Sequence, residues 1–325
     1  MKKRLSLLFV SLGLIALLIY FSDPHKVVAA LKAANPYYIL VALGLWFIGT
    51  LVRTFRWKYL LNETDIEVPF TELWRYYVAG LFVANITPAK TGEPARAVFI
   101  KKLTDKSFSK AMSTVIVEKA TDIFVMSIIS LVGISLIASP GSGLMFWVYL
   151  AIITYAALIL SSIYLIFSGR KLEKLLKKII RLLSFIPRIS SLEERTEEFV
   201  DKLRSSMKIY RSKTVLIKTS LITLAVTLIS GSILMVSLWS VGVEVSFLVA
   251  VTVFVSTVLI SFLTMLPGTL GSGEVIMVAF LIAFLGASRG DLTTAVLLRR
   301  VLEPFVYIFV GGIIVATMPK DILNW

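Results

Sequence analysis

The chain has 325 residues, of which 57% are hydrophobic and only 17% are charged, and its mean hydropathy is +0.87. These values exclude an ordinary soluble protein, and no polar segment is long enough to form a separate soluble catalytic domain. The net charge of +14 is typical of cytoplasmic loops beside anionic lipids, so no nucleic-acid partner is expected. Because cysteine is absent and histidine occurs once, disulfides, thiol catalysis and Cys/His metal sites are excluded. No metal or other cofactor is predicted.

Six segments are predicted to span the membrane, because each is apolar over about the 20 residues that a bilayer core requires. The first runs from Leu5 to Phe21 after a short basic stretch. It is interpreted as a membrane helix and not as a signal peptide, since no convincing cleavage site follows it. The other five predicted spans are 36–54, 110–138, 144–168, 214–240 and 291–318.

Two further apolar segments, 72–103 and 246–286, are interrupted in the middle. Short apolar halves flank the polar residues from Thr87 to Pro94 in the first segment and from Leu266 to Glu274 in the second. Non-helical backbone at membrane depth persists only where protein or a watery cavity satisfies its polar groups. We therefore predict two re-entrant helical hairpins that line such a cavity.

The distribution of basic residues predicts the orientation. Residues 169–213 hold thirteen basic and six acidic residues, and a second basic group begins at Arg53 and Arg56, so both are placed inside. We expect a multi-pass protein of the cell membrane with both termini in the cytoplasm and the loop 139–143 outside. The first hairpin then enters from the cytoplasm and the second from outside.

Two further features refine this topology. Trp57 and Trp239 are expected at the inner and outer edges of the membrane, where tryptophan is enriched. Residues 169–213 are predicted to be a basic cytoplasmic linker between two halves of the chain. The leucines and isoleucines within it favour an amphipathic helix on the inner leaflet, and a solvated linker is the alternative.

A shift of 181 residues relates the two halves. One shift aligns both the break and the charged stretch of the following helix, which indicates a duplication with repeats at 36–138 and 214–318. Because the hairpins enter from opposite sides, the repeats are expected to be inverted, as in several transporter folds. The fold class is thus an all-α integral membrane protein with one polytopic domain, 1–325. The aligned pairs are Gly92 with Gly273, Glu93 with Glu274, Lys119 with Arg300 and Asp122 with Glu303.

Charges inside a bilayer cost roughly 2.5–3.5 kcal/mol each on insertion scales and need compensation. One interpretation is structural: Arg299 pairs with Glu303 and Lys119 with Asp122 within single helices, while the glutamates at the breaks cap the helices that follow. In the other, charges from both halves converge on a central polar cavity. Helix N-termini and basic side chains there would bind an anionic group such as a phosphate.

The candidate substrate-binding residues come from the two breaks and the charged stretches that follow them. No catalytic or metal-ligating residue is predicted. The glycine-rich second break lacks the Lys-Ser/Thr ending of a phosphate loop, so no nucleotide is expected as a ligand. The candidates are Asn85, Pro88, Lys90, Gly92, Glu93, Arg96, Glu118, Lys119, Asp122, Pro267, Gly268, Gly271, Gly273, Glu274, Arg299, Arg300 and Glu303.

These residues resemble the motifs of a known family. Gly92-Glu93-Pro-Ala-Arg96, followed by Glu118-Lys119-x-x-Asp122, is similar to the G-E-x-x-R and E-R-x-x-D patterns of the flippase-like family named for the transmembrane region of lysylphosphatidylglycerol synthase. The second half is similar in its pattern Pro-Gly-x-x-Gly-x-x-Glu, with an arginine downstream. The resemblance covers nearly the whole chain.

What the resemblance implies is an integral membrane protein associated with lipid translocation. The sequence departs from the family pattern at Lys119, where arginine is usual, at Gly273, where arginine often precedes the glutamate, and at Arg299, where an aromatic residue is common. The soluble aminoacyl-transfer domain is missing here, so lipid lysinylation is not implied.

We therefore expect a transporter that moves a lipid with an anionic, phosphate-bearing headgroup between leaflets through a polar cavity at the repeat interface. The first alternative is an intramembrane enzyme that modifies a lipid or polyprenyl phosphate with a carboxylate as general base. The second is a non-catalytic partner of envelope lipid enzymes. Membrane lipids are the expected partners, and a homo-oligomer or an envelope enzyme is left open as a protein partner.

Overall fold

The computed structural model describes most of the chain between residues 34 and 319. The described residues are 25, 32, 34–87, 92–104, 106–137, 145–167, 203, 205–207, 210, 212–261 and 271–319. Within them all regular structure is helical, which confirms the predicted all-α class. The predicted helix at 5–21, the loop 139–143 and most of the linker 169–213 lie outside the described residues.

Nine helices make up the described part of the chain, and they are labelled here in chain order. Their bounds are α1 Pro36–Asn62, α2 Phe70–Ile86, α3 Ala95–Thr104, α4 Phe108–Ile137, α5 Met145–Phe167, α6 Lys213–Ser240, α7 Phe247–Ser261, α8 Ser272–Leu285 and α9 Arg289–Thr317.

Four of the described helices, α1, α4, α6 and α9, are long and apolar enough to cross a membrane. They coincide with four predicted spans, which supports a multi-pass membrane protein. Helix α5 has 23 residues and occupies the predicted span 144–168. The total of six crossings stays a prediction.

Helix α9 contains one irregular turn. Residues Val301–Phe305 are π-helical and include Pro304. Proline has no N–H to donate to the preceding turn, so a regular α-helix is disfavoured at this point. The irregular turn contains Glu303, one of the candidate residues.

The two broken segments form two pairs of short helices, α2 with α3 and α7 with α8, and the members of each pair contact each other. Each segment thus has two short helices, one on either side of its predicted break. The break residues 88–91 and 262–270 lie outside the described residues, as do the candidates Pro88, Lys90, Pro267 and Gly268. Whether the pairs re-enter the membrane stays a prediction.

Glycines lie where helices are in close contact. Helices α1 and α6 lie against each other, α2 packs on the second half of α9, and α7 packs on α4. A Cβ atom at Gly133 of α4 would lie 1.9 Å from Thr252 Oγ1 on α7, and one at Gly311 of α9 would lie 2.6 Å from Phe82 Cβ on α2. Such close approach favours glycine, as is usual where membrane helices associate.

The C-terminal end of α1 is covered by protein. Trp57 is fully buried and its Nε1 donates to Thr114 Oγ1 at 3.0 Å. Its side chain therefore packs against protein, and its place at the inner edge of the membrane stays a prediction. Tyr210, from the end of the linker, is also buried, and its hydroxyl donates to the Leu60 carbonyl at 3.1 Å. Burial raises the pKa of Tyr210, so the hydroxyl stays protonated and keeps its role as donor. Trp239 is partly exposed beside Tyr38, and its place at the outer edge of the membrane stays a prediction.

Candidate functional site

Helix α4 carries the acidic centre of the first charge cluster. We define this cluster as three cations and three carboxylates from α1, the α3 region and α4. Its members are Arg56, Glu93, Arg96, Glu118, Lys119 and Asp122.

Glu118 holds two arginines from different helices. Its Oε1 lies 2.8 Å from Arg56 Nη2, and its Oε2 accepts from Arg96 Nη1 at 3.1 Å. The Tyr77 hydroxyl also donates to Oε1 at 3.3 Å. Only 1% of the residue is exposed, so each contact is made away from water. Contacts at low dielectric are strong, and losing one is costly.

Arg56 and Arg96 reach α4 from two different helices. Arg56, on α1, also pairs with Asp122 and donates to Thr223 Oγ1 of α6 at 2.6 Å. Arg96, in the first turn of α3, places its guanidinium carbon 4.9 Å from the Tyr77 ring centroid and 5.2 Å from that of Trp57. Cation–π contacts of this kind fix the plane of a guanidinium.

Lys119 lies at the more exposed side of the first charge cluster. Its Nζ lies 2.8 Å from Glu93 Oε1 and 3.5 Å from Asp122 Oδ2. Glu93 also lies 3.8 Å from Arg96. The Lys119–Asp122 pairing predicted within one helix is therefore present. The Glu93 carboxylate pairs with a lysine of α4, whereas the capping interpretation had it stabilise the first turn of the helix that follows the break.

Helix α9 contributes a second charge cluster, which we define as Arg53, Arg299 and Glu303. Arg299 donates to Glu303 within α9, as the spacing predicted. Arg53 reaches Glu303 from α1, with Nη2 3.8 Å from Oε1, and also donates to Ser230 Oγ of α6 at 2.7 Å. This cluster therefore joins α9 to α1 and α6.

Glu274 and Arg300 form a separate pair between α8 and α9. Glu274 lies in the first turn of α8, where the helix has no side-chain cap. Among the described residues, no ion pair joins this pair to the first charge cluster. The prediction that Glu93, Arg96, Glu274 and Arg300 line one cavity is not tested by these contacts and stays a prediction.

The remaining described candidates lie beside the breaks. Asn85 donates to the Leu81 carbonyl at 2.8 Å near the end of α2. The Gly92 N–H donates to Thr87 Oγ1 at 2.7 Å, and a Cβ there would lie 2.6 Å from the Val83 carbonyl oxygen. Gly271 precedes α8 with a φ of +77°, and Gly273 lies in its first turn. The local backbone therefore favours glycine at positions 92 and 271.

Three contributors were not among the predicted site residues. Arg53 and Arg56 were assigned to the inner basic group, yet Arg56 is fully buried and both bind carboxylates of other helices. Tyr77 was not singled out. The three-residue spacing of the two arginines on α1 could have identified them as site residues, because it places both on one helix face.

A surface pocket of about 800 Å³ lies elsewhere, at the ends of α1, α6, α7 and α8. Its lining comprises residues 242–246 with Tyr38, Trp239, Val249 and Leu285. None of the candidate residues lines it.

The chain is similar to several membrane proteins. Over 172 residues the chain is 29% identical to a UPF0104 membrane protein of Methanothermobacter thermautotrophicus, covering 51% of this chain and 49% of that protein. It is 31% identical over 126 residues to one of Pyrococcus horikoshii, covering 38% and 37%. A third, from Methanocaldococcus jannaschii, is 28% identical over 179 residues, covering 54% and 53%.

The chain therefore spans about half or less of the length of these curated relatives. A family match extends much further, from residue 6 to residue 311. It includes every one of the charged residues described above. By this match the chain belongs to the family described as the lysylphosphatidylglycerol synthase TM region.

Proposed function

We propose that the protein translocates an anionic phospholipid between the two leaflets through a polar path between its halves. The observation that carries this proposal is the buried set of charged side chains on α1, α4 and α9, three of the helices able to cross a membrane. Ionisable residues within membrane helices are rare, and they commonly mark a substrate or ion pathway.

An internal duplication is part of the proposal, and the helix bounds support it. Shifted by 181 residues, α4 falls on 289–318, where α9 spans Arg289–Thr317. The same shift carries α3 onto 276–285, within α8, Ser272–Leu285. The sequence alignment and the helix bounds thus support the same offset.

The helix contacts support the duplication independently. Within the first half, α1 contacts α2 and α4, and α3 contacts α2 and α4; within the second, α6 contacts α7 and α9, and α8 contacts α7 and α9. Across the halves, the contact of α2 with α9 is matched by that of α7 with α4. Exchange of partners in this manner is characteristic of a two-fold relation.

The halves have opposite orientations in the proposed topology. Between the start of α1 and the start of its counterpart α6, the chain crosses the membrane three times, through α1, α4 and α5, if the α2–α3 pair is re-entrant. An odd number of crossings inverts the second half. Inverted halves that rock against each other would expose a site between them alternately to each leaflet.

An anionic lipid headgroup is the proposed cargo. Arg96 Nε and Nη2 and Arg56 Nε are buried without a hydrogen-bond partner among the described residues. Guanidinium groups match phosphate geometry and bind it through two parallel hydrogen bonds. A family whose description names the membrane region of a lipid synthase supports a lipid as the ligand.

We further propose that the protein resides in the cell membrane with both termini and residues 169–213 in the cytoplasm. The basic linker supports this orientation through the positive-inside rule. The end of the linker is attached to the bundle where Leu203 and Tyr210 pack with Leu60 of α1 and Val117 of α4.

Lipid exchange in liposomes tests the function. The purified protein would be reconstituted with fluorescent lipids of several headgroups, phosphatidylglycerol among them, and loss of fluorescence after addition of dithionite would be followed. Protein-dependent exchange is expected, and Arg56→Gln should abolish it. Arg75→Gln is the matched control, because Arg75 is exposed on α2. The absence of exchange for every headgroup tested would contradict the proposal.

The rival classes predict different results. An intramembrane lipid-modifying enzyme would convert native lipids into products detectable by mass spectrometry. A non-catalytic partner of envelope enzymes would retain its activity in cells when Arg56 or Glu118 is neutralised.

A further inference from the structure

The charge balance differs between the buried clusters. The first charge cluster has three cations and three carboxylates, and the Glu274–Arg300 pair is balanced. The second charge cluster has two arginines, Arg53 and Arg299, that share the single carboxylate of Glu303. By these ion pairs, over the described residues, one positive charge is left over at Arg53 and Arg299. Asp122 also acts electrostatically on Arg53, but its charge is already counted against the three cations of the first charge cluster.

Both arginines keep free donor groups. Arg53 Nε and Arg299 Nε are buried and lack a hydrogen-bond partner in the described part of the chain. The Arg299 guanidinium carbon lies 4.8 Å from the centroid of the Phe254 ring, and Ser230 accepts from Arg53. Contacts with α6 and α7 thus hold both guanidinium groups in place without neutralising them.

The second charge cluster lies deep within its helix. Glu303 is fourteen positions from Arg289 and fourteen from Thr317, the two ends of α9. At about 1.5 Å per residue, this is roughly 21 Å from either end. An unbalanced charge at such depth is costly unless a counter-ion or water is present. The π-helical turn at 301–305 is an irregularity of a kind that is frequent at functional sites.

We propose that Arg53 and Arg299 bind the singly charged phosphodiester group of the lipid, and this inference rests on the proposed function. One anionic charge balances the cluster, whereas a second would leave it negative. The free Nε–H groups would donate to phosphate oxygens, and Glu303 keeps the two arginines from repelling each other. This site is separate from that of Arg96, whose charge is balanced within the first charge cluster.

The proposal is tested by ligand binding to the purified full-length protein in neutral detergent. Three probes are used: short-chain phosphatidylglycerol, inorganic phosphate and a neutral diacylglycerol. Binding is measured by isothermal titration calorimetry and by the shift of the thermal unfolding midpoint. The first two probes distinguish a lipid phosphodiester from a free phosphate, and the third controls for the acyl chains.

Arg53→Gln and Arg299→Gln are each expected to weaken phosphatidylglycerol binding by about 10- to 100-fold, the range for loss of a charged hydrogen bond. Arg289→Gln is the matched control for Arg299→Gln, because it removes an arginine from the exposed end of the same helix, α9. The control should bind phosphatidylglycerol as tightly as the wild type does. Without ligand, Arg299→Gln should be no less stable than the wild type, since Arg53 and Glu303 then balance.

Glu303→Gln provides a readout that a purely structural cluster would not give. This variant leaves the second charge cluster with two uncompensated positive charges. Its binding preference should therefore move from phosphatidylglycerol toward phosphatidic acid, whose phosphomonoester carries up to two negative charges. If the glutamine variants fail to fold, Arg53→Lys and Arg299→Lys keep the charge but lose the planar donor pair. Weakened binding by these variants supports the proposal, and unchanged binding contradicts it.

Several outcomes would overturn the inference. They are no binding of phosphatidylglycerol or phosphate to the wild type, equal binding by the glutamine variants, and equal binding of the neutral diacylglycerol. Preference for inorganic phosphate over the lipid would contradict the lipid source. The function is judged separately: exchange in liposomes that survives Arg299→Gln refutes only the site, whereas arginine-dependent binding without exchange refutes only transport.

Discussion

Replacing Glu118 by glutamine removes the central charge of the first charge cluster without changing the shape of the side chain. Three cations would then face two carboxylates, Glu93 and Asp122. The side chain is 1% exposed, so water cannot compensate the loss. Removing one partner of a buried ion pair typically costs 3–5 kcal/mol. We expect the free energy of unfolding to fall by about this amount.

The assay is equilibrium unfolding in mixed micelles with increasing SDS, followed by circular dichroism. Glu72→Gln is the control, because Glu72 is exposed on α2 and its neutralisation should change stability by less than about 0.5 kcal/mol. A similar loss in both variants would show that the buried contacts of Glu118 do not govern stability.

A double-mutant cycle then tests the pairing itself. Adding Arg96→Gln to Glu118→Gln leaves two cations and two carboxylates, with Arg56 on Asp122 and Lys119 on Glu93. Part of the lost stability should therefore return, with a coupling energy of about 0.5–3 kcal/mol. Adding the exposed Arg75→Gln should give no such coupling. Additive losses for Arg96 and Glu118, within about 0.5 kcal/mol, would refute the reasoning.

Three further predictions concern other parts of the molecule. Arg300→Ala should abolish lipid exchange and lower stability. Adding Glu274→Gln to it should restore stability in part but not exchange, as measured by unfolding and liposome assays; additive losses of stability would contradict the pairing. In a chain with no cysteine of its own, cysteine at Ser142 should be labelled by an impermeant reagent in intact cells, while cysteine at Ser191 should not; the opposite result would invert the topology. Gly133→Ala should cost about 1–3 kcal/mol in SDS unfolding through overpacking, and an unchanged midpoint would contradict the close helix contact.

Local features of the fold were predictable because they depend on neighbouring residues. Hydropathy alone indicated the long helices and both broken segments, and spacing along one helix indicated the Lys119–Asp122 and Arg299–Glu303 pairs. Contacts within one helix need no knowledge of tertiary structure. The contacts of Glu118 with Arg56 and Arg96 needed the relative placement of three helices, which a single sequence does not contain.

Helix α1 illustrates why hydropathy did not identify Arg53 and Arg56 as site residues. The predicted span ended at residue 54, and Arg56 was placed outside the bilayer core with the inner basic residues. The helix continues to Asn62, and Phe55 is 57% exposed while Arg56 is fully buried. One face of this turn is thus exposed, and the other contacts carboxylates of α4. Hydropathy averaged over a window of consecutive residues combines the two faces and does not distinguish them.

The position of α1 also suggests how cargo binding and movement would be coupled. Arg56 binds carboxylates of α4 in the first half, and Arg53, three residues earlier, binds Glu303 of α9 in the second. Any displacement of the halves must therefore stretch at least one of these contacts. A ligand shifts such an equilibrium only through different affinities for the two states. An anion shared by Arg53 and Arg299 would connect α1 with α9, so it would favour the state in which these two helices lie together and would leave the contacts of Arg56 intact.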